Sequence, residues 1–420
     1  MKRMHERGMT IIELLVAMVI GSFLMVAVLV VLSGQLLNDG KTHQNGAEGS
    51  RRTLASAADL DQASAIATFQ LDKWIRSAGT GFSQTVDSPR TYSFAFGCKL
   101  YASKGGTQLL PTTNTSALPK PFDGSNGATF APSANAGVFR LIPALILPNA
   151  TSPDPTHSGG GSSDVLVLMS SGNGYGEVPL PFTAVAAAAQ LKVNNTTPFS
   201  GANANNMALI ADTQPDASSG GSAKCMVTQA ALTTTTGAAT ALPLAGSWWA
   251  STIDDAKITD YSDTGVVLDL GDPTNSLQPP SFLVVGVGDN DTLYSYDLLK
   301  VSSPQLLARG QNVFELHALY GVDTVGDGKS ITWVSPSTGT YASANLTDGS
   351  INASKLIKTI RALRVGLIMR TDQPERDAVS TSVTLFSDTS SSFTRTFGTG
   401  ETNYRYRTVE VTVPLRNNFF

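Results

Sequence analysis

Glu13 is the residue in this chain whose surroundings most demand explanation. From Met9 to Leu37 the sequence reads MTIIELLVAMVIGSFLMVAVLVVLSGQLL, and Glu13 is its only charge. A carboxylate within an apolar helix costs on the order of a few kcal/mol, so it calls for a partner of opposite charge. Other chemistry-bearing residues form weaker patterns. Asp323-Thr324-Val325-Gly326-Asp327-Gly328 has the look of a calcium loop. An EF-type loop needs an oxygen ligand at its third position and a carboxylate at its twelfth, and here Val325 and Val334 stand there. A Gly/Asp turn between strands is expected instead. Gly328-Lys329-Ser330 ends like a phosphate-binding loop, but Asp323 replaces the first glycine, and Ile331-Thr332-Trp333-Val334 reads as strand where a helix is needed. Asp289-Asn290-Asp291 reads as an acidic hairpin turn. His5, His43, His157 and His317 are scattered, with no H-E-x-x-H pair, so no zinc site is expected. There is no G-x-S-x-G elbow. Trp248-Trp249 is either core or an exposed partner contact. No catalytic residue, metal or cofactor emerges, and the chain is not expected to be an enzyme.

The element that carries Glu13 is long enough to define itself. A helix of about 20 residues spans a hydrocarbon core, and Leu14 to Asn38 holds no charge. Before the run stands MKRMHERG, with Lys2, Arg3 and Arg7. Basic residues on that side hold it in the cytoplasm and direct the following chain outward. The expectation is a single inner-membrane span. A secretory signal would have a shorter apolar region and a small-residue cleavage site, and neither is present. A lipoprotein would need a cysteine just after the run, whereas the first is Cys98. A plain anchor leaves Glu13 unexplained.

Gly8-Met9-Thr10-Ile11-Ile12-Glu13-Leu14-Leu15-Val16 resembles the type IV prepilin processing site. The resemblance implies that a prepilin peptidase cuts after Gly8 and that Met9 is then N-methylated. Family members often carry Phe where Met9 stands. Cleavage would expose an α-amino group that is largely protonated at neutral pH. Met9 and Glu13 are four residues apart and share one helix face. In a pilus the same carboxylate would meet the amino terminus of a neighbouring subunit. At ~4 Å and an effective dielectric near 20, such a pair gains roughly 4 kcal/mol before desolvation. Glu13 would then set the register between subunits.

After Leu37 the sequence turns polar. Ala67, Leu71, Trp74, Ile75 and Ala78 recur at helical spacing, and Gly79 fits a C-terminal cap. A stem weakened around Gly40–Gly49 is expected to end there, with Trp74 and Ile75 in the core. Beyond Thr80 the pattern is short strands between Ser/Thr/Asn/Gly/Pro-rich stretches. The clearest are Val165–Met169, Val266–Leu270, Phe282–Val287, Leu293–Leu299, Val313–Tyr320, Ile360–Met369 and Thr408–Leu415. The last two alternate with period two, as half-buried strands do. Pro414 cannot donate to a ladder and belongs at a sheet edge or strand end. Residues 112–137, 149–163, 194–206 and 214–246 read as loops. The fold class is α+β: a long N-terminal pilin-type helix, then an antiparallel β-sheet globular domain with long loops. The divisions are a cytoplasmic leader 1–8, a transmembrane or filament-core half-helix 9–38, a polar stem 39–79 and a periplasmic or extracellular head 80–420.

A second resemblance comes from the C-terminal half. Leu306-Leu307-Ala308-Arg309-Gly310-Gln311-Asn312-Val313 leads into Leu319-Tyr320-Gly321-Val322-Asp323. Ile360-Arg361-Ala362-Leu363-Arg364-Val365 follows, then Tyr404-Arg405-Tyr406-Arg407 and Leu415-Arg416-Asn417. With Arg76-Ser77-Ala78-Gly79, these strings resemble the PilW family of minor type IV pilins. Residues 100–260 match only loosely. The resemblance implies a structural subunit that primes pilus assembly near the tip and supports twitching, adhesion or DNA uptake. Its implied partners are the prepilin peptidase, other minor pilins, the major pilin, the inner-membrane assembly platform and a tip adhesin, with the inner membrane as its residence before assembly and the pilus or cell surface of a Gram-negative bacterium after it. Family members often carry cysteines in places similar to Cys98 and Cys225, so a disulfide between them is expected, with two buried thiols as the alternative. A type II secretion pseudopilin and a tethered periplasmic protein outside any filament are the competing readings.

Composition sets the outer limits. The 420 residues carry 29 basic and 33 acidic side chains, a net charge of −4, so a strongly basic nucleic-acid surface is excluded as the default. Charged residues are only 15%, too sparse for an expanded acidic tail. Two cysteines exclude a dense disulfide scaffold. With 38 Gly and 21 Pro, turns outweigh continuous helix.

Overall fold

The computed structural model describes residues 46–82, 95–112, 118–123, 130–133, 137–151, 162–172, 179–187, 189–200, 203–211, 223–232, 240–261, 265–275, 279–300 and 307–415. The chain divides into two compact units, Met1–Asp59 and Leu60–Phe420. Of the first, the described residues 46–59 are helical.

Helix α1 (Gly46–Ser77) opens the described chain. Leu60, Ala67, Leu71, Ile75 and Ala78 are buried and recur on one face, as the helical period requires. Ile66 and Phe69 are exposed. The helix ends at Gly79, whose φ of 84° is open to glycine without the Cβ clash that other residues meet. The Gly79 N–H leaves the helix to donate to the Met169 carbonyl at 2.8 Å. The helix thus stops on a strand of the head.

The expectation of a transmembrane helix and a single-pass inner-membrane location is corrected here. Among the described residues no helix is long and apolar enough to cross a membrane. The longest of them, α1, carries Arg51, Arg52, Asp59, Asp61, Asp72, Lys73 and Arg76 along its length, and ionised side chains spread in this way oppose transfer into hydrocarbon. Residues 9–38, on which the expectation rested, lie outside the described residues.

The strands then follow in chain order. They begin with β1 (Lys99–Lys104), β2 (Thr107–Leu110), β3 (Ala144–Thr151), β4 (Ser163–Ser170), β5 (Leu180–Ala187), β6 (Gln190–Val193) and β7 (Met207–Ala211). Next come β8 (Lys224–Gln229), β9 (Ala241–Pro243), β10 (Thr252–Ile253), β11 (Ala256–Lys257), β12 (Val266–Gly271), β13 (Ser281–Gly288) and β14 (Thr292–Asp297). The last third holds β15 (Leu307–Gly310), β16 (Val313–Val322), β17 (Thr332–Val334), two short helices α2 (Ser343–Leu346) and α3 (Ile351–Thr359), then β18 (Ile360–Arg370), β19 (Ser382–Leu385), β20 (Phe393–Thr396) and β21 (Tyr406–Pro414).

Three larger sheets result. Their orders are β2-β1-β8-β7-β12-β5-β6-β9, β15-β14-β13-β4-β3 and β17-β16-β18-β21. β1 and β8 pair in parallel; the neighbouring pairs β7–β8, β13–β14, β16–β18 and β18–β21 are antiparallel. A helix ahead of an extensive antiparallel region with long loops is the α+β arrangement expected. One apolar cluster joins the buried face of α1 to β3, β4, β13, β16 and β18. A second fills the eight-stranded sheet, and a third lies under the β19–β20 hairpin.

The seven strands legible in the sequence coincide with β4, β12, β13, β14, β16, β18 and β21. The stretch 214–246, read as loop, holds β8 and β9 instead. β8 is KCMVTQ, a short run buried across its four central residues. A strand buried on both faces loses the polar alternation that marks a half-buried one. Within 194–206, Thr197–Phe199 forms a 3-10 turn with Phe199 buried.

Removing the Ile75 side chain beyond Cβ leaves a cavity between α1 and the head. Ile75→Ala should lower unfolding stability by about 2–5 kcal/mol, whereas Phe69→Ala, on the exposed face, should change it by no more than ~0.5 kcal/mol. Denaturant unfolding of the two variants beside the parent checks the difference.

Candidate functional site

The strings that shaped the reading of the sequence converge where α1 rests on the head. Gly310 on β15 lies under the helix: a Cβ built there would stand 3.0 Å from the Ala67 Cβ, tighter than ordinary contact. A larger residue would lift the helix. Arg309 beside it places its guanidinium 5.5 Å from the Trp74 ring centroid and donates from Nε to Ser295 Oγ at 2.9 Å. Trp74 is half-buried and packs on the core. On α1 itself, Arg76 Nε donates to Asp72 Oδ2 at 2.7 Å, one turn earlier. At the start of β21, Arg407 forms an ion pair with Asp61 of α1. Both partners are exposed, so this pair adds little stability and mainly fixes direction.

Beneath the β19–β20 hairpin lies a buried charge network. Glu315 on β16 is fully buried. A charge in that position must be paired and hydrogen-bonded. Arg395 Nε on β20 donates to Glu315 Oε1 at 2.7 Å, and His317 Nε2 lies 3.2 Å from Glu315 Oε2. The other imidazole nitrogen faces Asp164 Oδ1 of β4 at 3.8 Å. Asp164 in turn accepts the N–H groups of Asn149 and Ala318, both at 3.0 Å. Arg395 also reaches Glu401 Oε1 at 2.9 Å. Phe393 covers the imidazole with ring centroids 3.8 Å apart. Burial alone pulls the His317 pKa down, but the Asp164 and Glu315 carboxylates outweigh it and hold it at about 9. Residues from β4, β16, β20 and the β20–β21 turn are thereby tied together by charge.

A second buried pair supports the same hairpin. Arg370 Nε at the end of β18 donates to Asp291 Oδ2 at 2.7 Å. Its guanidinium lies 4.8 Å from the Phe314 ring centroid and 4.6 Å from that of Tyr404. Phe397 and Tyr406 stack at 3.7 Å. Arg364 on β18 reaches Asp388 Oδ1 and Glu410 Oε2, each at 2.7 Å, and Glu410 Oε1 accepts the Phe386 N–H at 2.8 Å.

The residues singled out in the sequence distribute as follows. Gly8, Met9 and Glu13 lie outside the described residues. Cys98 and Cys225 are joined by a disulfide with Cα atoms 5.6 Å apart, fastening β8 to the residue just before β1. Asp323 accepts the Gly326 and Gly328 N–H groups at 2.6 and 2.8 Å, so the loop is a closed turn, and Thr332–Val334 is strand. Asp289–Asp291 is a 3-10 turn whose last residue faces Arg370. Trp248 is buried and Trp249 packs against the core of the eight-stranded sheet. Among the described residues, no group of three or more His, Cys, Asp or Glu side chains could hold a metal ion.

The charge network was missed because its members are far apart in the chain: Asp164, Glu315, His317, Arg395 and Glu401. The one local signal was a Glu and a His on alternate positions of an otherwise apolar strand, V-F-E-L-H-A-L-Y, where both must point to one face.

Two family models match the chain. Residues 287–417 match the model described as Type IV Pilus-assembly protein W, and residues 3–29 match the Prokaryotic N-terminal methylation motif. The first spans β14 to β21, which include the hairpin, the β15 seat of α1 and the members of the charge network other than Asp164 of β4. No curated protein and no solved structure matches. The two matched regions lie at opposite ends of the chain, and together they support assignment to the type IV pilin class and to the pilus-assembly machinery in general.

The network gives a pH dependence with a definite sign. A histidine whose folded pKa is raised from 6.5 to about 9 contributes stability that is fully present below 6.5 and is lost as pH rises through 9. The thermal midpoint should therefore fall between pH 7 and pH 10. His317→Gln should be less stable than the parent at pH 7 and flatter over that window. Melting curves of both proteins across the range test it.

Proposed function

We propose that the protein is a minor pilin-type structural subunit that takes part in initiating type IV pilus assembly, close to the filament tip. The observation that carries this reading is the match to the pilus-assembly W model over β14–β21, which include β15 and β21, two of the strands that α1 meets. The methylation-motif match at residues 3–29 supports it from the other end. In this reading residues 1–8 are a leader removed after Gly8 by a prepilin peptidase, and Met9 becomes the N-methylated terminus. Residues 9–38 enter the filament core, 39–79 form the stem, and 80–420 form the head that selects neighbours. Glu13 meets a terminal amine and sets the register between subunits. The Cys98–Cys225 bridge ties β8 to the residue before β1 within the head. The partners are other minor pilins, the major pilin, the assembly platform and a tip adhesin, and the outcome is filament display for twitching, adhesion or DNA uptake. No residue is assigned a catalytic role.

Glu13→Ala should still be cleaved but should fall by about tenfold or more in sheared filaments, the loss of one unreplaced buried ion pair. Gly8→Ala should remain uncut and stay out of the filaments. Quantitative immunoblots of sheared filaments and whole cells distinguish the outcomes. Normal incorporation of the Glu13 variant removes the register role, and absence of the parent protein from filaments removes the function.

A further inference from the structure

Cys98 and Cys225 meet where β1 lies beside β8, and the surroundings say when in folding they do so. Among the described residues β1–β8 is the one parallel pair. Parallel pairing is slightly weaker per residue and needs a long connection. The cysteines are 127 residues apart, and the chain between them leaves the sheet to build β3 and β4 of the five-stranded one. Closing so long a loop costs entropy before any contact rewards it. The register adds a second obstacle. It sets Lys99 directly opposite Lys224, and like charges in that position repel.

The carboxylates that answer these lysines come later in the chain. Lys99 Nζ lies 3.1 Å from Asp255 Oδ1 and 3.7 Å from Asp254 Oδ2, and both acids sit in the β10–β11 turn. Lys224 Nζ lies 3.4 Å from Asp260 Oδ2. The Tyr101 hydroxyl on β1 donates to Asp255 Oδ1 at 2.7 Å. Until this turn is seated, β1 and β8 meet with two cations face to face. In the finished head the sulfurs are sealed: Cys98 is 1% exposed and Cys225 0%. Both belong to the apolar cluster that also holds Leu100, Leu209, Val227 and Leu268. Thiol–disulfide exchange needs a thiolate to reach a disulfide sulfur, and sulfurs buried to this degree give no such access.

We propose that an exchange protein with an exposed disulfide makes the Cys98–Cys225 bridge on the open chain, and that the bridge then holds β8 in parallel register on β1 until the β10–β11 turn seats. In the first step one cysteine thiolate attacks the donor disulfide, which forms a mixed disulfide and frees one donor thiolate. In the second, the other cysteine thiolate attacks the chain's own sulfur in that mixed disulfide and frees the second donor thiolate. The two cysteines give up two electrons and their two thiol protons, and the donor leaves as a dithiol. The inference does not depend on the filament role proposed above.

Timed reduction of the full chain tests it. Dithiothreitol present during synthesis should leave both thiols free for maleimide and the chain protease-sensitive. The same reagent added after folding should give maleimide uptake lower by about tenfold or more, rising to the early value only in denaturant. The Cys98→Ala/Cys225→Ala variant tests the register. It should melt about 5 °C or more below the parent. It should also lose hydrogen-exchange protection in Lys99–Lys104 and Lys224–Gln229 while β16 and β18 keep theirs. Late reduction that opens the bridge as fully as early reduction overturns the order of events. A chain that gains the parent's protease resistance without the bridge, or a variant with the parent's protection in β1 and β8, overturns the role in register.

Discussion

A charge removed from water must meet its opposite, and this constraint organises the C-terminal third of the molecule. Glu315 lies near the start of β16 with no exposed surface. Left alone it would cost several kcal/mol. It is tolerated because β20 brings Arg395 to one oxygen and β16 itself brings His317 to the other. His317 in turn needs Asp164, which belongs to a strand of the neighbouring sheet. One buried carboxylate therefore dictates where a hairpin folds and how two sheets meet. The Arg370–Asp291 pair repeats the device at the far end of β18. Apolar packing under the hairpin, from Phe314, Ile368, Leu385, Phe386 and Phe397, supplies non-directional stabilisation. The charges supply direction.

This framework is also what presents α1. Gly310 follows directly from the β14–β15 pairing, and its lack of a side chain lets Ala67 approach. Gly79 ends the helix on the Met169 carbonyl of β4. Arg407 at the start of β21 answers Asp61. The second unit thus holds its own part of α1, from Leu60 onward, at a glycine, a capped end and an exposed ion pair. The pilus-assembly W match covers β15 and β21 of this seat but not β4, and leaves the eight-stranded sheet outside it. That sheet has its own core and its own disulfide.

How much of this the sequence disclosed follows from which interactions are local. Period-two alternation announced β18 and β21, and Pro414 announced a sheet edge or a strand end, because each depends on neighbours along the chain. The helical spacing of Ala67, Leu71, Ile75 and Ala78 announced the buried face of α1 for the same reason. β8 was missed, since KCMVTQ is buried on both faces and carries no alternation. The charge network was invisible because Glu315 and Arg395 meet only after three strands and two helices have been placed. The expected membrane span is not found among the described residues, whose longest helix is charged throughout.

The same constraint, applied to Glu13, underlies the function proposed. In an apolar run that carboxylate needs a cation, and a terminal amine on Met9 is the one that processing after Gly8 would create. Intact-mass and N-terminal peptide mass spectrometry of the native protein decides the matter most directly. The account predicts a chain that begins at Met9 with an N-methyl group. A native chain that retains Met1, or begins at any other residue, would contradict it.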